Sequence, residues 1–507
     1  MIDKRQQQRD DPGKTIPAVT RVLIIGAGLS GIGTAIRLRC AGIEDIVVLE
    51  RATGPGGAWR DNVYPGAHCD IPSVLGSFSL ARNPRGSHEY SSGADILAYI
   101  HDVIARHGLE RRIWYGRTVI GLDFDEAAGT WRVRTSTSGG EEVITARSVV
   151  MAVGPLSNTS RPDIVGIDGY RGHKVYSARW DPSLDVTGLT VAVVGTGATA
   201  VQVIPELVNR ARHVTVFQHT PRWVLPHPQY RVPAWNRSLF EKLPLTKDLT
   251  RTAYFWAHEA MRSGVVWPTG LTTALEQVAK LQLRRQIKDK WTRRQLTPNY
   301  RANCQQLLVS NAYLPALDRD HCKLLTFPIV RLTERGILTV DGVERCFDTI
   351  VFATGFDVPC KIGTPFPIRG RDAHLLREEW AEGACAYKSV HVSGYPNLHF
   401  TFGPNSCSGR NSALFFLEAQ IDYIVESVRM LERWGLRYLD ARKSAQDRFN
   451  AGIRQRFSGT TRNSRCASWH PTEDGFNPTI FPGSARQFRA QMDEFTLSDY
   501  HAVSLSE

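Results

Sequence analysis

An apolar run, RVLIIGAG, stops on glycines and passes at once into a helix-spaced segment, and this feature constrains the chain more than any other. A short continuous apolar run bounded by a turn reads as a buried parallel strand. The motif Gly26-Ala27-Gly28-Leu29-Ser30-Gly31 joins it to LSGIGTAIRLRCAG, and a second buried strand, DIVVLE, ends on Glu50. Strand, glycine turn, helix and strand make one βαβ unit. Each glycine in this setting has its own task. The first permits the tight turn, the second lets backbone approach a pyrophosphate, and the third lets the helix pack against the strand. The helix N-terminus turns N–H groups and positive dipole toward phosphates. Glu50, about twenty residues on, is placed to accept ribose hydroxyls. Gly26, Gly28, Ser30, Gly31 and Glu50 are therefore the predicted first dinucleotide site.

The pattern returns about 170 residues later in LTVAVVGTGATAVQVIPELV, followed by HVTVFQH. Its glycine turn is Gly195-Thr196-Gly197-Ala198-Thr199-Ala200, and alanine is allowed in the third place. The next strand runs out at Phe217-Gln218-His219-Thr220 with no acidic residue. That argues against a ribose-only NAD site and is permissive for NADP.

The expected fold is α/β, with two Rossmann-like dinucleotide-binding domains and a helical insertion. Residues 1–20 read as a disordered tail and 21–165 as the first part of one domain. The second domain takes 166–345, with a basic helical insert at about 225–300. The first domain and a C-terminal segment take up 346–507. Within this, 59–92 reads as ordered loop, 93–108 as helix, and 117–150 as antiparallel strands turning at Gly139-Gly140.

Other classes fall away. The net charge is +12, but its cations are spread along the chain with no basic tract, so nucleic acid is not an expected partner. The N-terminus lacks an apolar signal region and no run is long enough to span a bilayer, which points to a cytoplasmic protein. Nine scattered cysteines without a CxxC pair predict neither a disulfide framework nor zinc. No histidine has metal-ligand spacing, so no metal is expected, and Ser30 and Ser406 have no matched His and Asp for a hydrolase triad. LQLRRQIKDKWTRRQL is basic and amphipathic, and reads mainly as the solvated face of the insert, with contact to a membrane surface as the lesser alternative.

Beyond the two glycine turns, GPGGAWRDNVYPGAHCDIPS, ATGFD (Ala353 to Asp357), GYPNLHFTFGPNS and CASW (Cys466 to Trp469) resemble the class B flavoprotein monooxygenases, in particular the Baeyer–Villiger monooxygenases. The resemblance runs from about Arg21 to Tyr500. It implies FAD in the first site, NADPH in the second, O2 as co-substrate and a small organic molecule as substrate. In that family reduced flavin activates O2, and oxygen is inserted beside a ketone carbonyl. The resemblance adds Gly57, Ala58, Trp59 and Asp70 to the flavin side. To the nicotinamide side it adds His219, Thr220, Gln305 and Trp469.

The chain departs from the family where charge is needed. The fingerprint FxGxxxHxxxW(P/D) is matched from Tyr170 to Asp181, except that its histidine is Tyr176. The family's Lys-Arg pair becomes Gln305 and Gln306, its usual Arg becomes His219, and an expected tyrosine becomes Gly76. Glutamine donates hydrogen bonds but carries no charge. Asp70, Gln306 and Tyr176 are the candidate catalytic residues, with Arg301 and Arg410 as cations able to restore the charge. The leading expectation is an NADPH- and O2-dependent FAD monooxygenase of Baeyer–Villiger or related type. The alternatives are a nicotinamide-independent flavin oxidase or internal redox catalyst, and a catalytically silent flavoprotein.

Overall fold

The computed structural model describes residues 16–83, 90–227, 244–266, 270–302, 304–356, 364–407, 411–458 and 476–505. Strands β1 (Val19–Ile25), β2 (Ile46–Leu49), β3 (Ile113–Trp114), β4 (Thr118–Asp125), β5 (Thr130–Thr137) and β6 (Gly140–Met151) begin a first sheet. A second sheet takes β7 (His173–Tyr176), β8 (Thr190–Val194), β9 (His213–Phe217), β10 (Cys322–Leu325) and β11 (Thr349–Phe352). The chain then returns to the first sheet with β12 (Ile368–Arg369) and β13 (Leu398–Phe400).

The first sheet has the order β12-β4-β5-β6-β1-β2-β3, with β13 also paired to β6. Its β13, β6, β1, β2 and β3 run parallel, while β4, β5 and β6 form an antiparallel meander. Helices α1 (Leu29–Cys40), α2 (Ala58–Asp61) and α3 (Gly93–Arg106) belong to this domain. Ile32, Ile36, Ile100 and Val103 from α1 and α3 pack with Val22, Ile24 and Val48 of the strands. Alternate strand residues Leu23, Ile25, Val47 and Leu49 point the other way, onto Trp131, Val133 and Tyr395. This alternation is why the run is apolar throughout: both faces of β1 and β2 are covered.

The second sheet is wholly parallel, in the order β10-β9-β8-β11-β7. Helix α4 (Ala198–Val208) connects β8 to β9. Val201 and Ile204 of α4 pack on Val191, Val193, Val214 and Val216. Three further helices follow: α5 (Pro244–Val266), α6 (Gly270–Gln286) and α7 (Lys290–Leu296). A long helix, α8 (Ala413–Arg433), closes the first domain against α1.

Several expectations shift. The tail predicted to 20 gives way to strand at Val19, whose neighbour Thr20 is buried. A division at 345 leaves Thr349–Phe352 with the wrong sheet, because β11 lies between β8 and β7. Cys304 is disulfide-bonded, which the scattered spacing did not foretell. Cys40, Cys69, Cys322, Cys346, Cys385 and Cys407 are free. Among the described residues no helix is long and apolar enough to cross a membrane, and no three His, Cys, Asp or Glu side chains are grouped to hold a metal.

The chain crosses between the sheets twice, after β6 and after β11. The crossings are tied to each other: Thr159 bridges Phe356, Ser160 N–H donates to Gly355 O at 3.1 Å, and Thr354 Oγ1 donates to Ser160 O at 3.2 Å.

Candidate active site

The first cradle starts where β1 ends. Gly26 has φ +111°, and a Cβ there would lie 2.5 Å from Ala152 O, so only glycine fits. The chain then enters α1 with Gly28 as N-cap. No side chain caps the helix and its first turn holds no acid, which leaves the leading N–H groups for an anion. Gly31 lets α1 press on the strand, since a Cβ would fall 1.8 Å from Gly26 O. Ser30 is buried beside it.

Gly57, at φ +53°, faces Gly28 so closely that a Cβ on it would sit 3.1 Å from the Gly28 Cα. It precedes α2, which contains Ala58 and Trp59. The Glu50 carboxylate is buried and accepts from Ala27 N–H at 2.9 Å and Ala52 N–H at 3.0 Å. Arg60 lies 3.3 Å from it and also donates to the Gly54 carbonyl. Facing glycines, an uncapped helix end and a fixed carboxylate suit the pyrophosphate and ribose of FAD.

The second cradle repeats the device. Gly195 has φ +119°, and its Cβ would lie 2.5 Å from Ala353 O. Gly197 is the N-cap of α4, again without a side-chain cap or an acid in the first turn, across Ala198, Thr199 and Ala200. Thr196 Oγ1 donates to Thr220 O at 2.9 Å, and His219 Nδ1 lies 2.9 Å from Thr220 Oγ1. This ties the end of β9 to the glycine turn.

Gln305 is not isolated there. Arg222 donates to its Oε1, and the Tyr300 hydroxyl lies 3.1 Å from the same oxygen. A cation missing from 219 and 305 is thus present at 222, a partnership 83 residues apart in sequence. Arg301, by contrast, is held by Glu276 at 3.2 Å and by Thr273 at 3.1 Å, so it is not a mobile replacement. Gln306 is exposed. Tyr176 ends edge strand β7 and stacks on Phe352, with ring centroids 5.2 Å apart. Trp469, Arg410 and Asp357 lie outside the described residues.

Between the cradles sits a joint that the sequence reading missed. Gln202, buried on α4, donates through Nε2 to Asp70 Oδ1 at 3.0 Å and to His68 O at 3.1 Å. Its Oε1 accepts from the Tyr64 hydroxyl at 2.8 Å. The loop can lie this close because residue 66 is glycine: at φ +80°, a Cβ would sit 2.5 Å from Gln202 O. His68 Nδ1 is 2.7 Å from Gly66 O, and its Nε2 is 3.9 Å from Asp70 Oδ1. The His227 ring lies 4.1 Å from Tyr90 and 5.7 Å from His68. Burial pushes the His227 imidazole down to about 4, so it stays neutral at physiological pH. One signal was available in the sequence: Gln202 is the single polar residue of AVQVIP, an otherwise apolar helix face.

At Gly76 a Cβ would make only ordinary contacts, the nearest at 3.5 Å. The segment around it is clasped from α5, where the buried Arg251 donates to Val74 O at 2.9 Å and Ser77 O at 3.0 Å.

Residues 23–257 match the family described as pyridine nucleotide-disulphide oxidoreductase. A Streptomyces coelicolor protein named Baeyer-Villiger monooxygenase is 36% identical over 489 residues, covering 95% of this chain and 92% of its own length. The chain belongs to the Baeyer–Villiger monooxygenase family. A Pseudomonas aeruginosa protein of the same name is 34% identical over 496 residues, 96% of this chain and 93% of that one. A solved steroid monooxygenase bound to NADP superposes with a TM-score of 0.83 at 25% identity, over 96% of this chain and all of that one. Membership in the Baeyer–Villiger family makes the chain a flavin-dependent oxidoreductase.

Proposed function

We propose that this chain is an FAD-dependent monooxygenase that takes electrons from NADPH and delivers one atom of O2 to a small organic ketone, working in the cytoplasm. The observation that carries this reading is the joint at Gln202, where one side chain on the second cradle's helix grips Asp70 in the loop beside the first cradle. A hydride donor and a flavin must meet, and this joint ties the two sites together.

FAD, once reduced by NADPH, supplies the two-electron activation of O2. The chain's own residues supply position and charge. Glu50 holds the ribose end, and the uncapped ends of α1 and α4 hold the pyrophosphates. Arg222 with Gln305 stands at the end of β9, where an Arg accommodates a 2′-phosphate. Asp70, fixed through Oδ1, orients substrate or accepts a proton beside the flavin. Gln306, exposed to solvent, offers only a neutral donor where the family carries a guanidinium, and a neutral hydrogen bond is worth roughly half a charged one. The balance is one ketone, one O2, one NADPH and one proton giving ester, water and NADP+. Oxygenation of a heteroatom or carbon, which needs no fixed cation, is the neighbouring reaction.

A nicotinamide-independent oxidase is the second reading, favoured by the uncharged residues at 305 and 306. The test is anaerobic mixing of the yellow protein with NADPH and, separately, NADH, following flavin absorbance, and then aerobic turnover on a ketone panel with products weighed by mass spectrometry. Fast bleaching by NADPH and products heavier by one oxygen support the proposal. No bleaching by either nucleotide, with bleaching by an organic substrate alone, replaces it with the oxidase.

A further inference from the structure

A third of the large apolar side chains exposed among the described residues fall on the helical insert: Leu249, Trp256, Leu271, Val278, Leu281 and Trp291. Single exposed apolar groups are normal, so spacing has to decide whether these mean anything. On α6 the buried positions are Thr272, Glu276, Ala279, Gln282 and Leu283. Leu271 (38% exposed), Val278 (45%) and Leu281 (48%) follow a seven-then-three spacing that puts them on one exposed stripe, bordered by the buried Gln282. Trp291 on α7 is 63% exposed.

Charge surrounds this stripe. Between 270 and 296 the chain carries Lys280, Arg284, Arg285, Lys288, Lys290, Arg293 and Arg294, against only Glu276 and Asp289. Both acids are committed. Glu276 is buried against Arg301, and Asp289 caps α7 through Thr292 N–H. Arg284, Arg285, Lys288, Lys290 and Arg294 all face solvent.

We propose that the outer face of α6 and α7 docks on an anionic lipid surface. A helix lying in a membrane interface presents a shallow apolar stripe and a tryptophan to the acyl boundary, with Lys and Arg reaching the headgroups. Negative headgroups complement the uncompensated cations. Nucleic acid would engage the cations and leave the Leu, Val and Trp stripe without a role. The buried face of α6, whose edge runs beside this stripe at Gln282, is wired to the candidate site. Glu276 Oε1 accepts from Ala302 N–H at 3.0 Å, and Gln282 Nε2 donates to Ser310 O at 2.7 Å, on either side of Gln305 and Gln306. A docked insert therefore holds that segment close to a phase in which apolar ketones concentrate. The docking itself does not depend on the reaction proposed above.

The test is flotation of the FAD-loaded full chain with phosphatidylcholine vesicles, with and without phosphatidylglycerol, across a salt series. Binding to the anionic vesicles alone, weakened by salt, is expected. Arg284→Ala with Arg285→Ala removes two cations and is expected to weaken binding about thirtyfold. Val278→Glu with Leu281→Glu, and separately Trp291→Ser, are expected to abolish or strongly weaken it. All three variants should retain FAD and NADPH-driven bleaching, so loss of vesicle binding is distinguishable from misfolding or from a wrong reaction. Absence of binding to anionic vesicles, equal binding to neutral ones, or unchanged binding by the stripe variants overturns the proposal. So does a dimer that falls apart in Val278→Glu with Leu281→Glu, which would make this face a subunit contact.

Discussion

Gly28→Ala separates what the first cradle needs for folding from what it needs for flavin. Gly28 sits at φ −81°, which alanine accepts without strain. The new Cβ would find Gly57 Cα at 3.6 Å as its nearest neighbour, an ordinary contact. The apo-protein should therefore fold, with stability within about 1 kcal/mol of the parent or slightly above it, since alanine narrows the unfolded ensemble. The same methyl stands where a pyrophosphate must approach the leading N–H groups of α1. Losing two charge-assisted hydrogen bonds costs about 3–6 kcal/mol, or roughly a hundredfold to ten-thousandfold in FAD affinity. The control is Gly31→Ala, whose Cβ would fall 1.8 Å from Gly26 O, so that α1 must move off the strand and the domain itself should fail. The assay is flavin retained per protein after purification, an FAD titration of the apo-protein, and thermal unfolding of both variants. A Gly28→Ala protein that binds FAD within tenfold of the parent refutes the reasoning, as does one that unfolds like Gly31→Ala.

Gln202→Leu keeps the volume but strips the joint of four hydrogen bonds, to Tyr64, Asp70 and the His68 backbone N–H and C=O. A loss of about 2–4 kcal/mol in thermal or urea unfolding is expected, together with slower bleaching by NADPH, and unchanged stability and rate would remove Gln202 from the joint. Arg222→Ala should raise the KM for NADPH while leaving that for NADH nearly unmoved, and equal effects on both would detach Arg222 from the phosphate. Gln306→Arg puts a cation where the family resemblance expects one, and on the proposed reaction it should raise ester formation from simple ketones, read by product analysis. If nothing changes, the pocket differs more widely.

Acid stability tests a buried pair behind the first sheet. His391 Nε2 and His399 Nδ1 lie 2.7 Å apart, and burial holds His399 down to about 3 and His391 well below its usual range. Both take protons near 6.5 when unfolded, so the stability they contribute is intact above that pH and is lost as pH falls toward 3. His399 alone should cost about 3 kcal/mol by pH 4. Asp440, which burial pushes up to about 6, works in the opposite sense over the same window. His399→Gln should flatten the fall in melting temperature between pH 7 and pH 4, and an identical fall in parent and variant would refute the assignment.

Both cradles were readable because their information is local. A strand, three glycine positions and a helix start lie within a dozen residues, and Gly26 and Gly195 each do what their turn requires. Glu50 was readable because the next strand of a βαβ unit returns beside the first. The joint was not, because Gln202 and Asp70 are 132 residues apart and meet only once two sheets have formed. Arg222 was readable as a cation three residues beyond His219, but its contact with Gln305 was not, and the same distance problem left Arg301 looking available when Glu276 already held it. The edge of the first strand was misplaced for a simpler reason: Val19 is exposed and Thr20 is polar, so nothing in the sequence marks them as strand until β6 pairs with them.

The paired crossings between the sheets set how the molecule moves. Two chain segments passing side by side, and bonded to each other at Thr159–Phe356 and Ser160–Gly355, form a double-leaf flexure and not a single tether. Such a flexure yields to rotation about its own line and stiffens against sliding or splaying. Rotation of the second cradle about that line is therefore the motion the paired crossings resist least. The Gln202 contact, set away from those crossings, bonds the two cradles at a second place, and such a rotation would have to break it.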